Sequence, residues 1–235
     1  MKCAVMAVAT VLGWAVWQSG AADPEGGRTE YMGRTIAQTM HWTGASWLLR
    51  ETREKEENAS KMLDELGVEP GMTVADIGAG NGYHALKLAK MVGAAGKVIA
   101  NDIQPEMLEM LEKRAGARGL ADRIETVLGE FNDPKLVPES ADIVMMVDVY
   151  HELSYPEDML AGIRKALRPG GRLVLLEFRA EDPEVPIKEL HKMSKEQVDR
   201  ELEANGFRRV SAFDGLPWQH MLFYEVAGEG EEGGG

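Results

Sequence analysis

The sequence predicts an α/β domain in which helices cover both faces of a mostly parallel, doubly wound sheet of seven strands. Short apolar runs alternate with amphipathic stretches of helical period from Glu51 to Val226. The first apolar run ends in a glycine-rich turn, Gly78-Ala79-Gly80-Asn81-Gly82, which opens the next helix. With 235 residues, 44% of them apolar, the chain can bury one sizeable core but not two.

Each element follows from its local pattern. Glu51–Leu66 alternates charged and apolar residues at helical spacing and is closed by Gly67. Met72–Ile77 is a buried strand, Tyr83–Met91 a helix, Lys97–Asp102 a second strand, and Pro105–Ala117 a helix with proline at its start. Arg123–Leu128 and Asp142–Val147 are the third and fourth strands. Helix Pro156–Leu167 leads through Arg168-Pro169-Gly170-Gly171 into strand Arg172–Phe178. A polar connection, Glu181–Met193, precedes helix Ser194–Asn205 and the last strands, Phe207–Phe213 and His220–Val226. No internal repeat is visible.

Outside this core, Lys2 and an apolar run from Cys3 to Trp17 precede the small residues Ser19 and Ala21, the pattern of a signal peptide over residues 1–21. At roughly 15 residues the run is shorter than the ~20 that span a bilayer. The reading is therefore an exported chain without a stable membrane span after cleavage, with a cytoplasmic home as the alternative. Residues 22–50 form an N-terminal extension suited to a lid, 51–226 the core domain, and 227–235 an acidic glycine-rich tail. A net charge of -13 disfavours nucleic acid as a partner. The only cysteine, Cys3, leaves no disulfide, thiolate metal site or catalytic thiol in the core.

The strongest chemical signal is Asp76-Ile77-Gly78-Ala79-Gly80-Asn81-Gly82 at a strand-to-helix junction. Glycines let the backbone approach a ligand closely, and the helix start offers free N–H groups. Asp102 follows Gly82 by twenty residues at the end of the next strand, where a carboxylate can accept both hydroxyl protons of a ribose. A dinucleotide fingerprint requires glycine three residues after Gly80, where Tyr83 stands. The acidic Asp76 suits instead a nucleoside ligand that carries an ammonium group.

Here the chain resembles the class I, Rossmann-like S-adenosylmethionine-dependent methyltransferases, from about Glu51 to Val226. Val74–Gly82 looks like their first motif, Asp102 their ribose-binding acid, Gly129-Glu130-Phe131 their adenine segment and Asp142–Asp148 their fourth motif. Val149-Tyr150-His151-Glu152-Leu153 and Ala166–Gly171 match the stretches that follow. The resemblance implies S-adenosylmethionine as cofactor and methyl transfer to a small-molecule acceptor by in-line displacement. Gly78, Gly80 and Gly82, with Asp76, Asn81 and Asp148, would serve the methionine end. Asp102 would hold the ribose, Ile103 and Met107 would cover the adenine, and Glu130 with Phe131 would meet its edge. Where Glu130 and Phe131 stand the family more often has Asp and a small residue.

If the acceptor must lose a proton, His151 is the first candidate base, with Tyr150 and Glu152 beside it and Glu177 and His191 next. The competing role for His151 is pocket wall. Trp42, Trp47 and Trp218, with Lys188, His191 and Lys192, would wall a pocket for a small aromatic or anionic acceptor. No metal site is expected, because the five histidines are scattered and His151-Glu152 lacks the second histidine of a zinc-protease pattern. Tyr83 and Lys87 have dehydrogenase spacing but lie too close to the glycine turn. The alternatives are an exported S-adenosylmethionine-binding protein without activity, or an NAD-dependent oxidoreductase. The acceptor, its accepting atom and the oligomeric state are not legible.

Overall fold

A computed structural model describes residues 27–228. The residues read as a signal peptide, and nearly all of the tail, lie outside this range. Among the described residues no helix is long and apolar enough to cross a membrane.

The strands are β1 (Glu30–Tyr31), β2 (Arg34–Thr35), β3 (Thr73–Ile77), β4 (Lys97–Asp102), β5 (Ile124–Leu128), β6 (Ala141–Val147), β7 (Leu167–Arg179), β8 (Lys192–Met193), β9 (Phe207–Phe213) and β10 (Gln219–Val226). The helices are α1 (Arg53–Glu57), α2 (Ala59–Leu66), α3 (Ala85–Met91), α4 (Pro105–Gly116), α5 (Pro156–Ala166) and α6 (Lys195–Ala204). The main sheet runs β5-β4-β3-β6-β7-β10-β9, with β8 paired in parallel to the end of β7. β3 through β7 are mutually parallel, and β10 is antiparallel to both its neighbours. The strand order departs in opposite directions from the β3/β6 boundary, so the loops leaving these two strands diverge and open a crevice at their carboxyl ends.

Period-two alternation divides the core between the two faces of the sheet. Val74, Ile143, Met145, Val174 and Leu176 pack with Met62, Leu66, Leu88 and Leu111 of α2, α3 and α4. Ala75, Ile77, Val144, Met146, Leu173 and Leu175 pack with Leu160, Ile163, Val198 and Leu202 of α5 and α6. Each fully buried leucine or isoleucine contributes roughly 1.5–3 kcal/mol.

Four local expectations need correction. The single helix over Glu51–Leu66 is two, because Asn58 takes a left-handed conformation (φ 51) that ends α1 and caps α2 through its side chain on the Lys61 N–H. The helix expected from Tyr83 begins at Ala85. β7 starts at Leu167 and carries Arg168–Gly171 within it, with a register shift opposite Ala141–Ile143. The polar connection 181–193 contributes β8, so the main sheet has eight strands.

From residue 27 onward the described part of the N-terminal extension packs against the core. β1 and β2 form a hairpin whose turn residues, Met32 and Gly33, both have positive φ, as the strand twist demands of a two-residue turn. Arg34 then anchors it: its guanidinium donates to both carboxylate oxygens of Glu201 (2.7 and 3.1 Å) and to the His151 carbonyl (2.9 Å). A 3-10 segment, Trp42–Leu49, continues across the crevice.

Candidate active site

The crevice at the ends of β3, β4 and β6 encloses a cavity of about 990 Å³, counting its open mouth. Its floor is Ile77, Gly78 and Gly80; Asp102, Ile103, Gln104 and Met107 form one wall; Glu130 and Phe131 stand at one side. Asp148, His151, Glu152 and His191 lie on another wall, and Thr39, Met40, Trp47 and Leu48 supply a roof.

Glycine is required in the floor for measurable reasons. Gly78 and Gly80 have φ of +71 and +54. A Cβ on Gly78 would stand 2.5 Å from a Val149 methyl, and one on Gly80 would stand 2.8 Å from Leu48. The turn is pinned to the next strand by Asp102, whose two oxygens accept from the Gly80 N–H (2.8 Å) and the Gln104 N–H (2.9 Å). The Ile103 N–H is a further backbone partner of this carboxylate, which with about four lone-pair directions still has acceptor capacity for a ligand hydroxyl. Burial raises the Asp102 pKa to about 6 despite these bonds. Gln104 fastens the roof, accepting from the Trp42 N–H (2.7 Å) and donating to the Met40 carbonyl (2.9 Å).

The structure places Gly78, Gly80, Asp102, Ile103, Met107, Glu130, Phe131, Asp148 and His151 on the cavity, as the sequence suggests. Other candidates stand behind it. Asp76 is buried beneath the turn, its pKa raised to about 7 chiefly by burial, and its Oδ2 lacks a hydrogen-bond partner. Asn81 braces the turn, donating to the Ala45 carbonyl (2.8 Å) and accepting from Arg114 (2.9 Å). Gly82 packs on Leu111. Tyr150 is corrected from a catalytic to a framework position: it is fully buried, and its hydroxyl donates to Glu201 (2.8 Å). Trp47 alone of the three tryptophans lines the cavity, whereas Lys192 pairs with Glu189 (2.9 Å). The Tyr83 and Lys87 side chains do meet (3.2 Å), but away from the cavity.

Arg53 was not legible as a site residue, since it sits in a charge-rich stretch that reads as a solvated helix face. It is buried on the cavity, donating to Glu57 (2.7 Å) and the Leu48 carbonyl (2.9 Å), beside His84 Nε2 (3.1 Å).

At the other wall, β6, β7 and the 189–191 turn bring together side chains far apart in sequence. Glu177 is fully buried on β7, and its Oε2 lies 2.6 Å from His151 Nδ1. His151 Nε2 lies 3.0 Å from His191 Nδ1 and 3.8 Å from Glu152 Oε1. Burial, reinforced by the charge of His151, lowers the His191 pKa to about 3. Burial, with the charges of Glu177, Asp102 and Asp148, raises the Glu152 pKa well above its ordinary range. Asp148, at φ 55, accepts from Gln219 on both oxygens (2.9 Å each), and burial raises its pKa too.

A family model described as a methyltransferase domain matches residues 68–220. The chain belongs to the class I S-adenosylmethionine-dependent methyltransferase family. This methyltransferase-family chain superposes on an S-adenosylmethionine-dependent methyltransferase from Aquifex aeolicus with a TM-score of 0.75 and 26% identity, covering 80% of its own length and 100% of that chain. A type 11 methyltransferase described as putative, from Sulfolobus solfataricus, shares the fold (TM-score 0.61, 16% identity, covering 77% of this chain and 97% of that one). Ubiquinone/menaquinone biosynthesis C-methyltransferase UbiE of Ectopseudomonas mendocina is 33% identical over 112 residues, 48% of this chain and 44% of that protein. The chain thus spans less than half the length of the curated relatives it matches. The cavity fits the family's cofactor: the Asp102 carboxyl lines it beside the Gly78 and Gly80 floor, and Arg53, Asp148 and Glu152 supply polar groups for a zwitterionic ligand.

Proposed function

We propose that this chain transfers the methyl group of S-adenosylmethionine to a small-molecule acceptor. The observation that carries the reading is the continuity of one cavity from the Gly78–Gly80 floor and Asp102 to the His151, Glu152 and His191 wall. Asp102 holds the ribose hydroxyls, Met107 and Ile103 cover the adenine, and Glu130 with Phe131 border its edge. Arg53 receives the cofactor's carboxylate, and Asp148 stands beside its positive groups as a hydrogen-bond acceptor.

In-line displacement needs alignment and dryness more than proton transfer. The roof of Met40, Trp47 and Leu48 supplies dryness, and the acceptor lies against His151 and His191. As the acceptor's lone pair bonds to the methyl carbon, the carbon–sulfur bond breaks and its electron pair stays on sulfur. The curated UbiE relatives carry carbon as the accepting atom in their name.

The leader-like pattern of residues 1–21 supports an exported mature chain as a further part of the proposal.

The test is equilibrium binding of S-adenosylmethionine followed by transfer of its labelled methyl into a cell extract. Asp102→Ala removes two charge-assisted acceptors and weakens binding by about 2 kcal/mol, roughly thirtyfold. Unchanged affinity would sink the cofactor assignment, and binding without any labelled product would leave a binding protein in place of an enzyme.

A further inference from the structure

We infer that His151, Glu152 and His191 form a site for one divalent transition-metal ion, open to the acceptor end of the cavity. His151 and His191 are buried, Glu152 is partly buried, all three line the cavity, and one ligating atom from each lies within 4.8 Å of the others. Two imidazoles and a carboxylate are the donor set of catalytic zinc and of iron sites with open positions.

The spacing of the two histidines is already that of a shared ion. Metal–nitrogen bonds of about 2.0–2.1 Å at angles between octahedral and tetrahedral put two ligating nitrogens about 2.9–3.4 Å apart. His151 Nε2 and His191 Nδ1 stand 3.0 Å apart. The same spacing suits one shared N–H···N proton, and a cation that replaces it sits to one side of the N···N line, reached by a small rotation of the two rings. Glu152 then moves its Oε1 in from 3.8 Å, a change within reach of a side-chain rotation.

A second observation points the same way. Metal-bound histidines characteristically give their other ring N–H to a carboxylate, which fixes tautomer and ring orientation. His151 does this with Glu177 Oε2 at 2.6 Å, and Glu177 is fully buried with its Oε1 lacking a hydrogen-bond partner. The wall also gathers Asp148, Glu152 and Glu177, an excess of carboxyl groups that a dication offsets.

The role of the ion rests on the methyltransferase reading; its binding does not. A hydroxyl or thiol acceptor coordinated at an open position loses its proton to water more readily, and its lone pair is held toward the sulfonium carbon. The products are then the methylated acceptor, S-adenosylhomocysteine and the released proton.

The experiment uses the untagged full chain, stripped with chelator and dialysed against Zn²⁺, then against Co²⁺ for its visible absorption bands. One Zn²⁺ per chain is expected, with Co²⁺ bands typical of nitrogen and oxygen ligands that Zn²⁺ abolishes and equal Mg²⁺ does not. His191→Ala and Glu152→Gln should each weaken Zn²⁺ binding tenfold or more, and Glu177→Gln by about 10–100-fold. S-adenosylmethionine affinity, measured on the same metal-free samples, reports folding and the cofactor site separately. Less than a fifth of an equivalent of Zn²⁺, or equal affinity in wild type and the near-isosteric Glu152→Gln, overturns the inference. If the cofactor still binds and methyl transfer proceeds in those samples, the enzyme reading stands alone. One bound Zn²⁺ without methyl transfer would instead keep the metal site and remove the enzyme reading.

Discussion

Asp102 combines two demands that oppose each other. Its carboxylate must be charged to hold a ribose well, yet it is 6% exposed and burial lifts its pKa to about 6. Asp76 and Glu152 are the acidic neighbours coupled to it. Cofactor affinity should therefore fall about tenfold for each pH unit below about 6 and level off above about 7. Calorimetric titrations between pH 5 and 8 test this, and Asp102→Asn should bind more weakly with that slope removed. A slope that persists in the variant would assign it to another group. The same shift sets a stability effect of opposite sign to the usual carboxylate. An unfolded aspartate ionises near 3.9, so between about pH 4 and 6 the folded protein holds the extra proton. Stability from this group is complete below that window and is lost as pH rises through it, by roughly 3 kcal/mol. At this scale Asp102 and the glycines were legible because chemistry and position coincide in sequence. Arg53 was not, since a buried arginine and a solvated one have the same neighbours in a charged helix. His151, Glu177 and His191 were each legible as candidate bases, but their mutual contact was not: they are separated by 26 and 40 residues and meet only when β7 lies beside β6.

Among the elements, the pair α1 and α2 turns on a single residue. Asn58 holds φ 51, donates its N–H to the Glu54 carbonyl, and caps Lys61 with its side chain at 3.2 Å. Asn58→Ala should lose the cap, about 1 kcal/mol, and add left-handed strain of about 1 kcal/mol more. Asn58→Gly keeps the backbone conformation and should fall much nearer wild type. Thermal or denaturant unfolding of the two variants checks the order; equal losses would remove the left-handed strain from the explanation. Apolar periodicity made the strands and the longer helices readable because each buries one face. It continued unbroken through Asn58, so the break was invisible to it. β8 was missed because two residues are too short to show any period.

For the molecule as a whole, the N-terminal extension is tied to the core by a buried ion pair, Arg34 with Glu201, whose side chains are 10% and 0% exposed. Arg34→Ala should cost about 3–5 kcal/mol, because it strands a buried carboxylate that Tyr150 and Gln197 also share. Equilibrium unfolding measures it; a loss under 1 kcal/mol would mean that Glu201 finds another partner or takes up a proton. For the proposed export, mass spectrometry of the protein from its native cell should find an N-terminus at or near Ala22, whereas an intact Met1 start in the cytosolic fraction would defeat that part of the proposal. The doubly wound, mostly parallel sheet was predictable at this scale from the alternation of strands and helices, whereas its strand order was not. The roof was only a segment of suitable length until Gln104 and Glu201 were seen to grip it.

That grip has a consequence for the order in which the chain is completed. Arg34 lies 167 residues from Glu201, and Trp42 lies 62 from Gln104, so the first segment of the described fold to leave the ribosome docks on surfaces made much later. The loop-closure entropy of the Arg34–Glu201 pair is recovered only once α6 is in place. Pulse-labelled hydrogen exchange during refolding should find the amides of β3 and β6 protected before that of Ala37, which donates to the His151 carbonyl. A nascent molecule would thus keep its hairpin undocked until α6 is made, with the Gln104 contacts left to bring the roof over the glycine floor before then.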